Sequence, residues 1–146
     1  MRVLSETYQT VFYAWAMEQA ALLRSGRVSS ADIANIAEEI ESMGRTERRE
    51  LVNGLAVLLL HLLKWRFQPG FRSPNWNSTI REQRIRLRNH LRDNPSLKAK
   101  LDEALAEAYE LAVIGAARET GLPESDFPKS PPFRYEQAID ERFWPD

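Results

Sequence analysis

One apolar stripe holds helical phase from Ile33 to Trp65, through Ile33, Ile36, Ile40, Met43, Leu51, Leu55, Leu58, Leu62 and Trp65. Positions 40, 51 and 62 stand 11 apart, about three turns at roughly 3.6 residues per turn, so the same face returns to the core with no break in register. A repeat of this length predicts an all-α protein. Within it, Leu55 to Leu63 is apolar nearly all round, which a helix with one wet face does not need. That portion is expected at the domain centre or in a subunit interface.

Punctuation residues divide the remaining chain. A first amphipathic helix is expected from about Thr7 to Ser25, with Tyr8, Val11, Phe12, Trp15, Leu22 and Leu23 inward and Gly26 as its C-terminal stop. Ser29 and Asp32 have the spacing of a capping box and open the second helix before Ile33. Because the apolar phase survives Gly44, one long helix is expected to about Phe67, ended by Gln68-Pro69-Gly70. Ser73-Pro74 reads as an N-cap with proline at the first helical position. It starts a third helix that ends near Asn94, with Trp76, Ile80, Leu87 and Leu91 inside. A fourth runs from Pro95 to Thr120 on Leu97, Leu101, Leu105, Ala108, Leu111, Ala112 and Gly115, and stops at Gly121. Its small residues suit close packing.

After Gly121, five prolines alternate with Phe127, Phe133, Tyr135, Phe143 and Trp144. Disordered tails are poor in aromatics, so residues 122–146 are expected as an extended strap pinned to the bundle, with a short helix near Tyr135 to Asp140. The whole reads as one all-helical domain over 1–146, a bundle of about four main helices to 121 followed by the strap. Its 146 residues and 43% hydrophobic content are enough for a sizeable core.

Composition removes several functions. Without cysteine, disulfides, thiolate metal sites and cysteine nucleophiles are excluded. A net charge of −1 gives no global attraction to nucleic acid or to an anionic membrane. The N-terminus has no apolar signal-like core and the longest greasy run, Leu51 to Leu63, is too short for a span. A cytoplasmic protein with no membrane association is expected. No Gly-rich phosphate loop, dinucleotide fingerprint or serine nucleophile elbow occurs. No catalytic residue, cofactor or metal site is assigned.

Three groups remain as binding candidates. His61 interrupts the apolar run beside Lys64 and Trp65, where a neutral imidazole more simply satisfies a carbonyl than acts as ligand or base. Glu38 points almost opposite the stripe, Glu39 lies well off it and Glu41 flanks it, and Glu39, Glu50 and His61 share one line but sit roughly 16 Å apart, too far to share an ion. A solvated or salt-bridged helix face is the reading for them. Residues 81–100 carry seven cations and two acids, with Arg81, Arg88 and Arg92 in a narrow arc that could track phosphates. Residues 101–146 carry eleven acids and four bases, so internal neutralisation by the fourth helix and tail competes with that role. His90, beside Asn89, reads as a surface residue.

Several segments together resemble the bacterial family called domain of unknown function 29. They include Phe12-Tyr13-Ala14-Trp15, the run Glu18 to Arg24, Ala37 to Gly44, His61-Leu62-Leu63-Lys64-Trp65, Thr79 to Arg84, Pro95-Ser96-Leu97 and Glu119 to Pro123. The resemblance covers nearly the whole chain in order. It implies a small, all-helical bacterial protein, often present in several paralogous copies, and brings no activity with it. Val11 departs from an acidic position, and Pro131 stands where many members carry cysteine, which speaks against any thiol-based family mechanism here.

The leading expectation is a non-enzymatic helical module that binds a protein partner or self-associates through its helices. The alternatives are a nucleic-acid-associated protein using Arg81, Arg88 and Arg92, and a small-molecule pocket around His61, Lys64 and Trp65.

Overall fold

The structure is a computed structural model that describes residues 11–146. Its described residues form helices and turns with no strand: α1 (Phe12–Arg24), α2 (Ile33–Phe67), α3 (Pro74–Asp93), α4 (Leu101–Thr120) and the short α5 (Tyr135–Ile139). Short 3₁₀ turns join them. The all-α expectation holds, and no helix among the described residues is long and apolar enough to cross a membrane. Contacts gather the chain into two compact units, one ending at Thr46 and the other spanning Glu47–Asp146.

In the first unit, α1 ends as Gly26 requires. Gly26 takes φ +76°, its N–H reaches the Leu23 carbonyl at 3.1 Å, and the Arg27 N–H reaches Leu22 at 2.9 Å. This paired closure needs a left-handed residue after the helix, which glycine adopts without steric cost. The start expected at Thr7, and Tyr8 with it, lie outside the described residues. Of the other inward positions expected on α1, Trp15 is buried, Leu22 is half-buried, and Val11, Phe12 and Leu23 are exposed. Gln19 is buried instead.

The reason is a polar knot around Asp32. The Trp15 indole N–H donates to Asp32 Oδ2 at 3.0 Å, Gln19 Oε1 accepts the Asp32 N–H at 2.7 Å, and Asn35 Nδ2 donates to Oδ2 at 2.8 Å. Trp15 and Gln19 are four residues apart and share a face of α1. Asp32 therefore opens α2: its carbonyl takes the first helical bond, from Ile36, at 2.9 Å. Ser29 lies inside the preceding 3₁₀ turn, Val28–Ser30, and not at the start of α2, which corrects the capping box.

α2 continues through Gly44 as one helix, but its stripe divides. Leu51, Leu55, Leu58 and Leu62 are fully buried, while Ile33, Ile40 and Met43 are exposed. Periodicity had assigned all of them to one core.

The second unit holds that core. Leu58, Leu59, Leu62 and Leu63 point to different sides of α2, and all are buried. The all-round apolar stretch is thus covered on several faces, by Ile80, Leu87 and Leu91 of α3, by the alanines of α4, and by the strap. Ser73 caps α3 by accepting the Trp76 N–H at 3.2 Å, with Pro74 at its first position. α4 is preceded by a 3₁₀ turn over Pro95–Lys100, so its α-helical part starts later than expected, and it closes at left-handed Gly121. Gly115 is required by a close approach: a Cβ there would run into the Leu60 side chain. Leu111, expected inward, is exposed, and Leu101 and Leu105 are partly buried.

The strap packs as expected. Phe127, Phe133 and Tyr135 are buried, Phe127 stands edge-on to Phe67 at 5.2 Å, and Trp144 meets Trp65 at 4.7 Å. Polar ties fix its course. Tyr109 donates to the Pro128 carbonyl at 2.5 Å, and Arg72 reaches the Pro145 carbonyl at 3.3 Å.

Candidate functional surfaces

The residues around His61 turn to different partners. His61 Nδ1 lies 2.8 Å from the Val57 carbonyl one turn back, and since a carbonyl only accepts, Nδ1 carries the proton. Burial holds the imidazole below its ordinary pKa, with Lys64 acting the same way and the Val57 bond opposing. The neutral form is favoured. Lys64 is buried, pairs with Glu119 at 2.7 Å, and stands 4.6 Å over the Trp76 ring. Trp65 instead packs on Trp144 and under Arg72, whose guanidinium lies 4.9 Å from its ring and whose Nε donates to the Trp65 carbonyl. Each side chain has a structural task of its own.

The acidic run behaves as a salt-bridged face. Arg45 pairs with Glu38 at 3.1 Å and with Glu41 at 3.5 Å.

On α3 the positive face is less neutralised from outside than the charge balance suggested. Acids of α4 turn to α2, with Glu107 on Arg48 at 2.8 Å and Glu119 on Lys64. Arg86 and Arg92 pair within α3, with Glu82 and Asp93. From the tail, Glu141 comes within 3.9 Å of Arg88. Arg81 carries no ion pair among the described residues.

Arg81 and Arg88 line one cavity of about 310 Å³ with Arg84, Ile85, Glu141 and Trp144. Arg92 lies outside it, in a separate cleft with Leu91, Lys98 and Tyr135. Arg84 is the residue that the sequence reading missed. It occupies the inner line of α3 between Ile80 and Leu87 and is 1% exposed. Its Nε donates to the Ala138 carbonyl at 2.7 Å and its Nη2 to the Phe143 carbonyl at 2.6 Å, while Nη1 is buried without a partner. The guanidinium also lies 5.2 Å from the Trp144 ring. Burial pushes Arg84 below its ordinary pKa, opposed by Asp140 and Glu141. The signal was present in its spacing, four after Ile80 and three before Leu87, which places a cation where the helix face must be covered.

His90 also departs from expectation. It is half-buried, with Nε2 at 2.8 Å from the Glu47 carbonyl and Nδ1 at 3.5 Å from Glu50. Glu47, Glu50 and His90 could each offer one ligand atom within 4.8 Å. Nε2 is already held by the carbonyl, and Glu50 is exposed, so the trio serves as a hydrogen-bonded clasp between α2 and α3.

The first unit leaves Ile33, Ile40 and Met43 uncovered on one face of α2. Along that stretch of α2, residues 33–46, Glu38, Glu39 and Glu41 outnumber the one base, Arg45.

Across residues 7–144 the chain matches the family described as Domain of unknown function DUF29. No curated protein and no solved structure matches it.

Proposed function

Because the chain belongs to this family of unknown function, its role has to be argued from its surfaces, and we propose a non-enzymatic helical interaction module that acts through α2 of its first unit. One observation carries the reading. The stripe that is 0% exposed at Leu58 is 63% exposed at Ile40 and 67% at Met43, in the same helical phase. Burial of that face by a partner would remove apolar area from water, at about 25 cal/mol per Å².

The occupant is an amphipathic helix of another protein with basic flanks, since the stretch over residues 33–46 keeps a net negative charge, three carboxylates against Arg45, that attracts cations and repels carboxylates. An antiparallel second copy would bring the Glu39 flank opposite itself. The arginine face supports a nucleic-acid role less well, because Arg88 and Arg92 each have a carboxylate nearby, at 3.9 and 3.3 Å, which lowers the potential a duplex would meet. The same reading sets the protein in the bacterial cytoplasm, supported by a composition free of cysteine.

The test uses two synthetic amphipathic helices with identical leucine faces, one flanked by lysines and one by glutamates. Calorimetric titration should show binding of the lysine peptide alone. Ile40→Ser with Met43→Ser should weaken it by about tenfold or more without lowering the melting temperature. Equal binding of both peptides, or binding indifferent to the double change, would overturn the reading.

A further inference from the structure

The cavity under Trp144 has the composition of an oxyanion site. Arg81, Arg84 and Arg88 follow one another at three and four residues along α3, so they rise on one face over about two turns. All three line the same cavity, and Glu141 is the acid that shares it. Arg84 has carbonyls, not a carboxylate, for its two bonded nitrogens, and a third nitrogen that is buried and unpaired. A guanidinium in that position has lost water without gaining a counter-ion in contact. Arg81 has none either among the described residues.

We propose that Arg81, Arg84 and Arg88 bind the phosphate group of a small phosphomonoester. Arg81 and Arg88 offer their exposed forks to the terminal phosphate oxygens, which a planar guanidinium matches two at a time. Arg84 supplies positive charge from the wall of the cavity, where water screens it least. Three cations facing one acid favour a dianion over a carboxylate, and a phosphomonoester is largely dianionic above pH 7. The volume of about 310 Å³ suits a small molecule and not a tracked polymer backbone. Glu141 is the opposing group: it is 74% exposed and 3.9 Å from Arg88, so it competes with the phosphate for that arginine and can swing into solvent.

The opposition of Glu141 gives the experiment its sharpest arm. Full-length protein is titrated with phenyl phosphate and, separately, with benzoate, at pH 7.5 and about 150 mM salt, following heat and tryptophan fluorescence. Phenyl phosphate should bind in the sub-millimolar range and at least about tenfold more tightly than benzoate. Arg81→Gln with Arg88→Gln, both on exposed side chains, should lose that binding with the fold retained by circular dichroism. Glu141→Gln should tighten it several-fold, an effect that a merely structural arginine cluster would not produce. No binding of phenyl phosphate, equal binding of benzoate, or an unchanged affinity in the double variant would overturn the site. Tight binding of a short DNA duplex with none of phenyl phosphate would also overturn it, in favour of a nucleic-acid surface.

Discussion

Single residues show how differently similar positions behave once packing is known. Leu58 sits at the centre of the core and is fully buried, so Leu58→Ala should cost about 2–5 kcal/mol through lost transfer energy and the cavity left behind. Urea denaturation would report it as a lower midpoint at unchanged slope. Two glycines make a paired prediction. Gly44 is exposed in mid-helix with open space around a built Cβ, so Gly44→Ala should stabilise by about 0.5–1 kcal/mol. Gly115 abuts Leu60, so Gly115→Ala should destabilise by about 1–3 kcal/mol through overpacking. Opposite shifts in melting temperature are the expected result, and shifts of the same sign would show that Leu60 yields without strain.

At the scale of elements, the α1–α2 junction depends on one carboxylate. The Asn35 side chain bonds Asp32 most strongly, Trp15 and the Asn35 backbone add to it, and together they outweigh burial and hold Asp32 below its ordinary pKa. A depressed folded pKa means that the stabilisation is complete above the unfolded value, about 4, and is lost as pH falls through the lower folded value. The Trp15 indole N–H should therefore lose its exchange protection on acidification below about pH 4. Asp32→Asn should abolish this pH dependence and weaken the junction at neutral pH. Protection that persists to pH 2 would place the stabilisation elsewhere. Element boundaries were largely legible because they are local: Gly26, Ser73-Pro74, Gly121 and the Pro69 break act within a few residues. The start of α2 before Ile33 was legible too, but the bonds that fix it were not, because Asp32 takes its partners from Gln19 and Trp15, 13 and 17 residues away.

For the molecule as a whole, the strap is the element whose removal tells most. Phe127, Phe133 and Tyr135 are buried in the second unit, and the carbonyls of Ala138 and Phe143 are what Arg84 bonds to. Deleting residues 122–146 should uncover α2 and α3, leave the Arg84 guanidinium without its acceptors, and lower the melting temperature substantially by scanning calorimetry. Unchanged unfolding would show the strap to be dispensable. Charge behaves at this scale too. The acids of α4 reach Arg48 and Lys64 of α2, leaving the α3 arginines to local partners and to Glu141. A summed charge along the sequence could not reveal which bases the acids would meet.

By itself the sequence determined the all-helical class, most helix ends, and the aromatic strap, because periodicity, capping and turn chemistry act over one or two turns and need no distant partner. The bond His61 makes is of the same local kind, since a helix supplies the Val57 carbonyl from its own preceding turn. Only the tertiary structure decided which half of the long stripe is covered, because a repeat states which face is apolar and not whether anything lies against it. The same holds for the polar residues that define the candidate sites. Arg84 is buried by carbonyls 54 and 59 residues away, and His90 by a carbonyl 43 residues away. Desolvating such groups is tolerable only where remote backbone supplies acceptors, and that supply exists only once the chain has folded.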